Sequence, residues 1–334
     1  MENSTVSFYF NLTMFVNIGP YYYLAFVFFL LLYSCIVSAN LVVMLIISRE
    51  STLHKPMYIF IAFLSFNSLY GSAGFFPRFL VDLVSDSHLI SRPACFTQIF
   101  VIYTYASYEI TILTIMAYDR YVAVCHPLHY HRKMNSKTVY TLAFFAWMCP
   151  ACYLTLSIIM LVRLPLCGNN IQKVYCASWN IVKLSCLTTA INNIVAMMAA
   201  IIITFLPFGF ILYTYLRIVI VCWKNSSEVR EKVLQSCLPH VISVGVYSLT
   251  SFSDVALSRQ NLEEINPFVA VTLSLEFVVI PPVLNPLIYG LKLPEIRKHI
   301  FKMLHLEPQT KRNSSRTVQT DHVNVLCCKP DINP

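Results

Sequence analysis

The chain has 334 residues, 57% hydrophobic and 12% charged, with a mean hydropathy of +0.63 and a net charge of +8. Soluble domains carry about 25% charged residues, so roughly half of the usual water-facing charge is missing. No linker or charge run divides the chain, which excludes a pair of soluble domains and points to a protein that crosses a membrane repeatedly.

Residues 1–22 read as a polar and aromatic extracellular arm, without the basic and small-residue features of a removable signal peptide. Asn3-Ser4-Thr5 and Asn11-Leu12-Thr13 within it are glycosylation sequons. Across 23–291 lie seven apolar segments, each near the roughly 20 residues that span a hydrocarbon core. They are expected at Tyr23–Ile47, Met57–Leu80, Ile99–Tyr118, Tyr140–Leu161, Ala190–Val221, Leu234–Asp254 and Pro267–Leu291. The fifth is long enough to project into the cytoplasm, and the sixth, with His240 and several serines, is the weakest. Residues 292–306 follow as a short amphipathic helix: Pro294 suits a first helical position, and Ile296, Ile300 and Leu304 recur every four residues among Arg297, Lys298 and Lys302. Such a helix lies on an anionic inner leaflet, making membrane lipids a partner. The tail, 307–334, is polar and expected to be disordered. The predicted fold is all-α, a seven-transmembrane helix bundle ending in this amphipathic cytoplasmic helix.

With the amino terminus outside and the carboxyl terminus inside, 18 of the 24 lysines and arginines face the cytoplasm. Six (Arg78, Arg92, Arg163, Lys173, Lys183 and Arg259) remain outside. That asymmetry is how orientation is set in a multi-pass plasma-membrane protein. It accounts for the basic excess without nucleic acid. The sequon-like Asn225-Ser226-Ser227 and Asn313-Ser314-Ser315 fall inside, out of reach of glycosylation. Of twelve cysteines, Cys95, Cys167, Cys176 and Cys186 lie outside, where disulfides form. Four cysteines allow three pairings; a zinc site is disfavoured because no histidine clusters with them.

No hydrolase, redox or nucleotide motif is present, so neither an enzyme nor a cofactor is expected. His126, His129 and His131 form a basic loop with no ligand-spaced partner except Cys125, a poor metal site. Three polar constellations stand out. Asp119-Arg120-Tyr121 closes the third span, where Arg120 either snorkels to water or pairs with Asp119 and exchanges partners. In the seventh span, Pro281-Pro282-Val283-Leu284-Asn285-Pro286 interrupts the backbone ladder, and Pro286 must kink the helix. Asn285 and Tyr289 share a face there and are expected to satisfy the freed groups. Glu109 and Glu276 are acids inside spans, functional candidates because an unpaired charge is costly there.

The runs MAYDRYVAVCHPLHY (Met116–Tyr130), Leu53-His54-Lys55 with Pro56-Met57-Tyr58, KVLQSCLPH (Lys232–His240) and NPLIY (Asn285–Tyr289) followed by Gly290-Leu291-Lys292 occur in order. Over Asn40 to about Leu304 the chain resembles the olfactory receptors, a branch of the rhodopsin-like G-protein-coupled receptors. Leu238-Pro239-His240 and Leu275-Glu276-Phe277 are similar to the aquatic-vertebrate type. The resemblance implies disulfides Cys95–Cys176 and Cys167–Cys186. It also implies that Arg120 meets a heterotrimeric G protein of the stimulatory, cAMP-raising kind once helix 6 swings outward, with Tyr213 and Tyr289 steadying the open state. Departures accompany it. Ser68 stands where the family usually has an aspartate, so a sodium site at Glu109 keeps one carboxylate and should be weak. Val246-Tyr247-Ser248 replaces the tryptophan switch of many other receptors.

Small-ligand sites in bundles lie between helices and are mostly apolar. The third span offers Ile102, Tyr103, Ala106 and Ser107 to a small odorant; the sixth offers Tyr247, Ser248, Ser251 and Val255, with Arg259 above as a fork for a carboxylate. Ile102 stands where amine receptors of the superfamily carry an aspartate. The alternatives are a rhodopsin-like receptor for a peptide or lipid and, from another class, a transporter or channel. A transporter should show internal repeats and intramembrane charge pairs along a path, and no repeat is evident.

Overall fold

The structure, a computed structural model, describes residues 8–15, 21–187, 190–259 and 267–303. Asn3, Glu263, Glu264, Leu304 and the tail lie outside the described residues, as does the side chain of Arg259. The helices in chain order are α1 (Tyr22–Arg49), α2 (Pro56–Val84), α3 (Arg92–Cys125), α4 (Tyr130–Lys133), α5 (Ser136–Val162), α6 (Ser178–Lys183) and α7 (Ala190–Ala200). A π-helical turn, Ile201–Phe205, then joins α7 to α8 (Leu206–Trp223), followed by α9 (Ser227–Arg259), α10 (Pro267–Lys292) and α11 (Pro294–Met303). Among the described residues, seven helices are long and apolar enough to cross a membrane: α1, α2, α3, α5, the π turn with α8, α9 and α10.

Most spans extend beyond their apolar stretches, because a helix continues past the lipid wherever its first amides find acceptors. Ser91 accepts from the Ala94 amide (3.4 Å) and starts α3 seven residues before Ile99. Asn135 accepts from Thr138 (2.9 Å) and starts α5. Proline within a span orphans the carbonyl four residues back, and neighbouring helices supply the missing donor. The Thr111 hydroxyl of α3 lies 3.2 Å from the Ala146 carbonyl freed by Pro150, and shares its one proton between that carbonyl and those of Ser107 and Tyr108 (each 3.0 Å). Asn40 of α1 donates to the Pro282 carbonyl (3.0 Å), freed by Pro286. The freed carbonyl of α10 is therefore satisfied from α1, not from Asn285 or Tyr289 as the sequence suggested. Pro207 lies two residues past the π turn and orphans the Ile203 carbonyl within it.

α3 is the axis of the bundle and packs on α2, α5, α8 and α9. Its approach to α2 is set by glycine: a Cβ on Gly71 would stand 2.5 Å from the Tyr105 ring, and one on Gly74 2.3 Å from Val101. Two features add to the all-helical expectation. β1 (Tyr9–Leu12) in the amino-terminal arm pairs antiparallel with β2 (Leu89–Ser91) and parallel with β3 (Asn170–Ile171), burying Phe10 and Leu12. In addition, α11 does more than present an apolar face to lipid: Ile296 is fully buried, and His299 lies 3.3 Å from Glu50 at the end of α1.

Candidate functional site

At the end of the bundle bearing this sheet, α3, α5, α7, the π turn, α8 and α9 enclose a cavity of about 340 Å³. That is within the size range of small-molecule sites. Ile102, Tyr103, Ala106 and Ser107 of α3 line it, as do Tyr247, Ser248, Ser251 and Val255 of α9. These eight positions were singled out as ligand contacts, and one cavity brings them together. Its wall is mostly apolar. Several of its hydroxyls are engaged internally: Ser107 donates to the Tyr103 carbonyl (2.8 Å), Tyr153 to the Val195 carbonyl (2.9 Å) and Tyr247 to the Ala106 carbonyl (3.0 Å), which also ties α9 to α3.

The loop between α5 and α7 covers this cavity. Disulfides Cys95–Cys176 and Cys167–Cys186 hold it, and the Cys176 amide donates to Gln98 (2.9 Å). Beneath the loop sits a cluster the sequence did not disclose. Lys173 is fully buried, its ammonium 2.5 Å from Asp254 of α9 and 3.1 Å from the Tyr175 hydroxyl, which itself donates to Asp254 (2.8 Å). Burial first, then the Asp254 charge, pushes the Tyr175 phenol well above its ordinary range, so it remains a donor. Asn11 lies on β1 beside β3 of the same loop, half-buried, with its amide 3.4 Å from the exposed Asn170 side chain.

Midway along α3, buried Glu109 accepts from Asn285 (2.6 Å) and Asn67 (2.8 Å). Asn67, not the neighbouring Ser68, is thus the α2 residue that reaches the acid; the buried Ser68 hydroxyl has no partner. The orphaned Oδ1 of Asn67 beside Glu109 is the kind of oxygen a hard cation takes. Among the described residues no group of three or more His, Cys, Asp or Glu could hold a metal. Glu276, the other intramembrane acid, is half-buried on α10, more than two turns away from Asn285.

At the opposite end of α3, Arg120 is held rather than snorkelling. Its guanidinium donates to Asp119 (3.0 and 2.5 Å) and to Ser236 of α9 (3.1 Å), while Tyr130 of α4 donates to the other Asp119 oxygen (2.8 Å). Burial and then the Asp119 charge raise the Tyr130 phenol above its usual range. Tyr121 contacts His126 (3.2 Å). Partial burial, then Lys133, His129 and Arg217, lower the His126 imidazole and favour its neutral form. Tyr289 is buried near Ser243 without forming a good hydrogen bond to it.

The helix-5 tyrosine expected from the resemblance, Tyr213, does not face the bundle in this structure. Tyr213 is 52% exposed on the outer surface, whereas Tyr215 stacks on His240 and contacts its Nδ1 at 2.6 Å. Two residues rotate a helix by about 200°, so these tyrosines point in opposite directions. Nε2 of His240 lies 2.9 Å from the Leu113 carbonyl, which can only accept; in the neutral ring Nδ1 therefore accepts from Tyr215.

The crystal structure of squid rhodopsin matches this arrangement with a TM-score of 0.71 over 85% of each chain, at 17% identity. The architecture is accordingly that of a rhodopsin-like bundle. A family model described as "Olfactory receptor" matches residues 29–307. Olfactory receptor 10A7 of Homo sapiens is 32% identical over 298 residues, 89% of this chain and 93% of its own. Olfactory receptor 4L1 of Homo sapiens is 31% identical over 286 residues, covering 83% and 88%. The chain belongs to the olfactory receptor family. It is a multi-pass plasma-membrane, G-protein-coupled receptor, and a signalling protein rather than an enzyme.

Proposed function

We propose that this receptor senses a small odorant in the outer cavity and activates a stimulatory, cAMP-raising heterotrimeric G protein at the Arg120 end. The amino terminus lies outside, with glycans on Asn3 and Asn11, and the carboxyl terminus lies inside, with α11 against inner-leaflet lipid. One observation carries the reading: α9 lines the cavity through Tyr247 and Ser251 and also holds Arg120 through Ser236. A ligand that binds more tightly when the cavity wall has shifted moves the same helix that restrains Arg120. Asp119, Arg120 and Tyr121 then form the G-protein face. Tyr215 takes the steadying role assigned earlier to Tyr213, beside Tyr289, Asn285 and the Pro286 kink. Glu109 forms a weak sodium site, since the ion must displace the amides that now occupy its carboxylate.

The test is a cAMP reporter in cells displaying the receptor, run against an odorant panel with wild type and Arg120→Ala. Odorant-evoked cAMP in wild type and its loss in Arg120→Ala at equal surface display is the expected result. A response that survives Arg120→Ala, or a ligand-evoked current in cells lacking G protein, would overturn the reading.

A further inference from the structure

Asp254 is the one charged side chain among the described residues lining the cavity, and its carboxylate is 17% exposed. A carboxylate in an apolar cavity is a natural anchor for an organic cation. Here an ammonium already sits on it. The Lys173 Nζ lies 2.5 Å from Asp254 Oδ1, 3.1 Å from the Tyr175 hydroxyl and 4.8 Å from the centre of the Tyr175 ring. Carboxylate, hydroxyl oxygen and aromatic face together are the set an alkylammonium ion seeks. Lys173 is kept in place by its surroundings as well as by charge: three residues on, Cys176 is bonded to Cys95 of α3. A ligand amine would have to displace an ammonium that has no exposed surface, leaving it buried without a counter-charge, and such an exchange is strongly unfavourable.

We infer that Lys173 is an internal counterion that sets the charge selectivity of the cavity. Its ammonium occupies the Asp254 carboxylate, so the cavity takes neutral molecules, and removal of the lysine creates a site for alkylammonium ions. This rests on the cavity being the ligand site, as proposed above. A simple strap between loop and helix differs in its consequence: losing Lys173 would then weaken the fold without creating an amine site.

The test uses the purified full-length receptor in detergent, with n-butylammonium and 1-butanol as probes and thermal unfolding as the readout. Binding to the folded state alone raises the unfolding temperature. Lys173→Ala should gain a saturable rise of a few degrees with n-butylammonium and none with 1-butanol. Wild type should not distinguish the two probes, and Lys173→Ala/Asp254→Asn should lose the gain. Equal shifts in the single and double variants, or a wild type stabilised by n-butylammonium as much as Lys173→Ala, would overturn the inference. If Lys173→Ala folds only when expressed with n-butylammonium, that dependence supports it. Failure to fold with or without the amine, while the double variant folds, counts against it. No G protein or odorant enters this readout, so its failure is separable from failure of the receptor assay.

Discussion

Ser236→Ala isolates the restraint on Arg120. The Arg120–Ser236 hydrogen bond is 3.1 Å long, has one charged partner and lies where the arginine side chain is only 16% exposed. Hydrogen bonds to charged groups contribute about 1.5–3 kcal/mol. Arg120 keeps both bonds to Asp119 in the variant, so no orphaned charge is created and the lower figure applies. A loss of about 1.5 kcal/mol from the closed arrangement alone raises the open-to-closed ratio about tenfold. The assay is ligand-free nucleotide exchange on a purified heterotrimer, catalysed by receptor in nanodiscs. Ser236→Ala should raise basal exchange about tenfold, and Ser236→Thr, which keeps the hydroxyl, should stay near wild type. Basal exchange by Ser236→Ala within about twofold of wild type, at equal folded receptor, would refute the idea that this bond holds α9 closed.

Asn40→Leu should lower the unfolding temperature of the solubilised receptor, because orphaning the Pro282 carbonyl costs about 1–3 kcal/mol. Pro286→Ala returns an amide to that carbonyl, so Asn40→Leu should cost less in its background; equal costs would contradict the pairing. Gly71→Ala drives a Cβ to within 2.5 Å of the Tyr105 ring and should sharply reduce surface display. Gly209→Ala, with nothing within 4 Å, should leave it unchanged in the same flow-cytometry measurement. Tyr215→Phe removes the donor to buried His240 and should destabilise by about 1–3 kcal/mol. Tyr213→Phe should be silent, and similar shifts in unfolding temperature for the two would return the assignment to Tyr213.

The spans were legible because twenty apolar residues in a row leave little choice but a helix in lipid. Their ends were not, since hydropathy stops at the lipid boundary while capping by Ser91 or Asn135 carries α3 and α5 onward. The two cavity faces could be read because each is local to one helix. The Lys173–Asp254 pair could not: its partners are 81 residues apart, and an outer-loop lysine looks like any other solvated charge. The same distance problem hid β1, whose strand partners lie beyond α2 and α5 in sequence. Asn40 was invisible in a different way. Nothing in α1 shows that a proline 246 positions later has left a carbonyl without its amide.

The weakness of the sixth span as a membrane helix has a physical reason. Ser236, His240, Ser243, Tyr247, Thr250 and Asp254 recur at spacings of four and three, so all six polar residues lie on one stripe of α9. Four of them are almost fully buried: His240 at 0%, Ser243 at 2%, Thr250 at 3% and Tyr247 at 4% exposure. Apolar residues such as Leu234, Leu238, Val241, Leu249 and Phe252 take the exposed positions instead. The stripe meets a fixed partner at four levels: Ser236 at Arg120, His240 at the Leu113 carbonyl, Tyr247 at the Ala106 carbonyl, and Asp254 at Lys173 of the loop disulfide-linked to α3. An apolar contact between helices in lipid has no hydrophobic drive, because lipid tails are as apolar as the side chains, and rests on packing alone. Discrete polar bonds are instead made or lost, which gives α9 separate positions against α3. In the mechanism proposed above, the polarity that lowers the hydropathy of this span is what lets it serve as the moving part between cavity and Arg120.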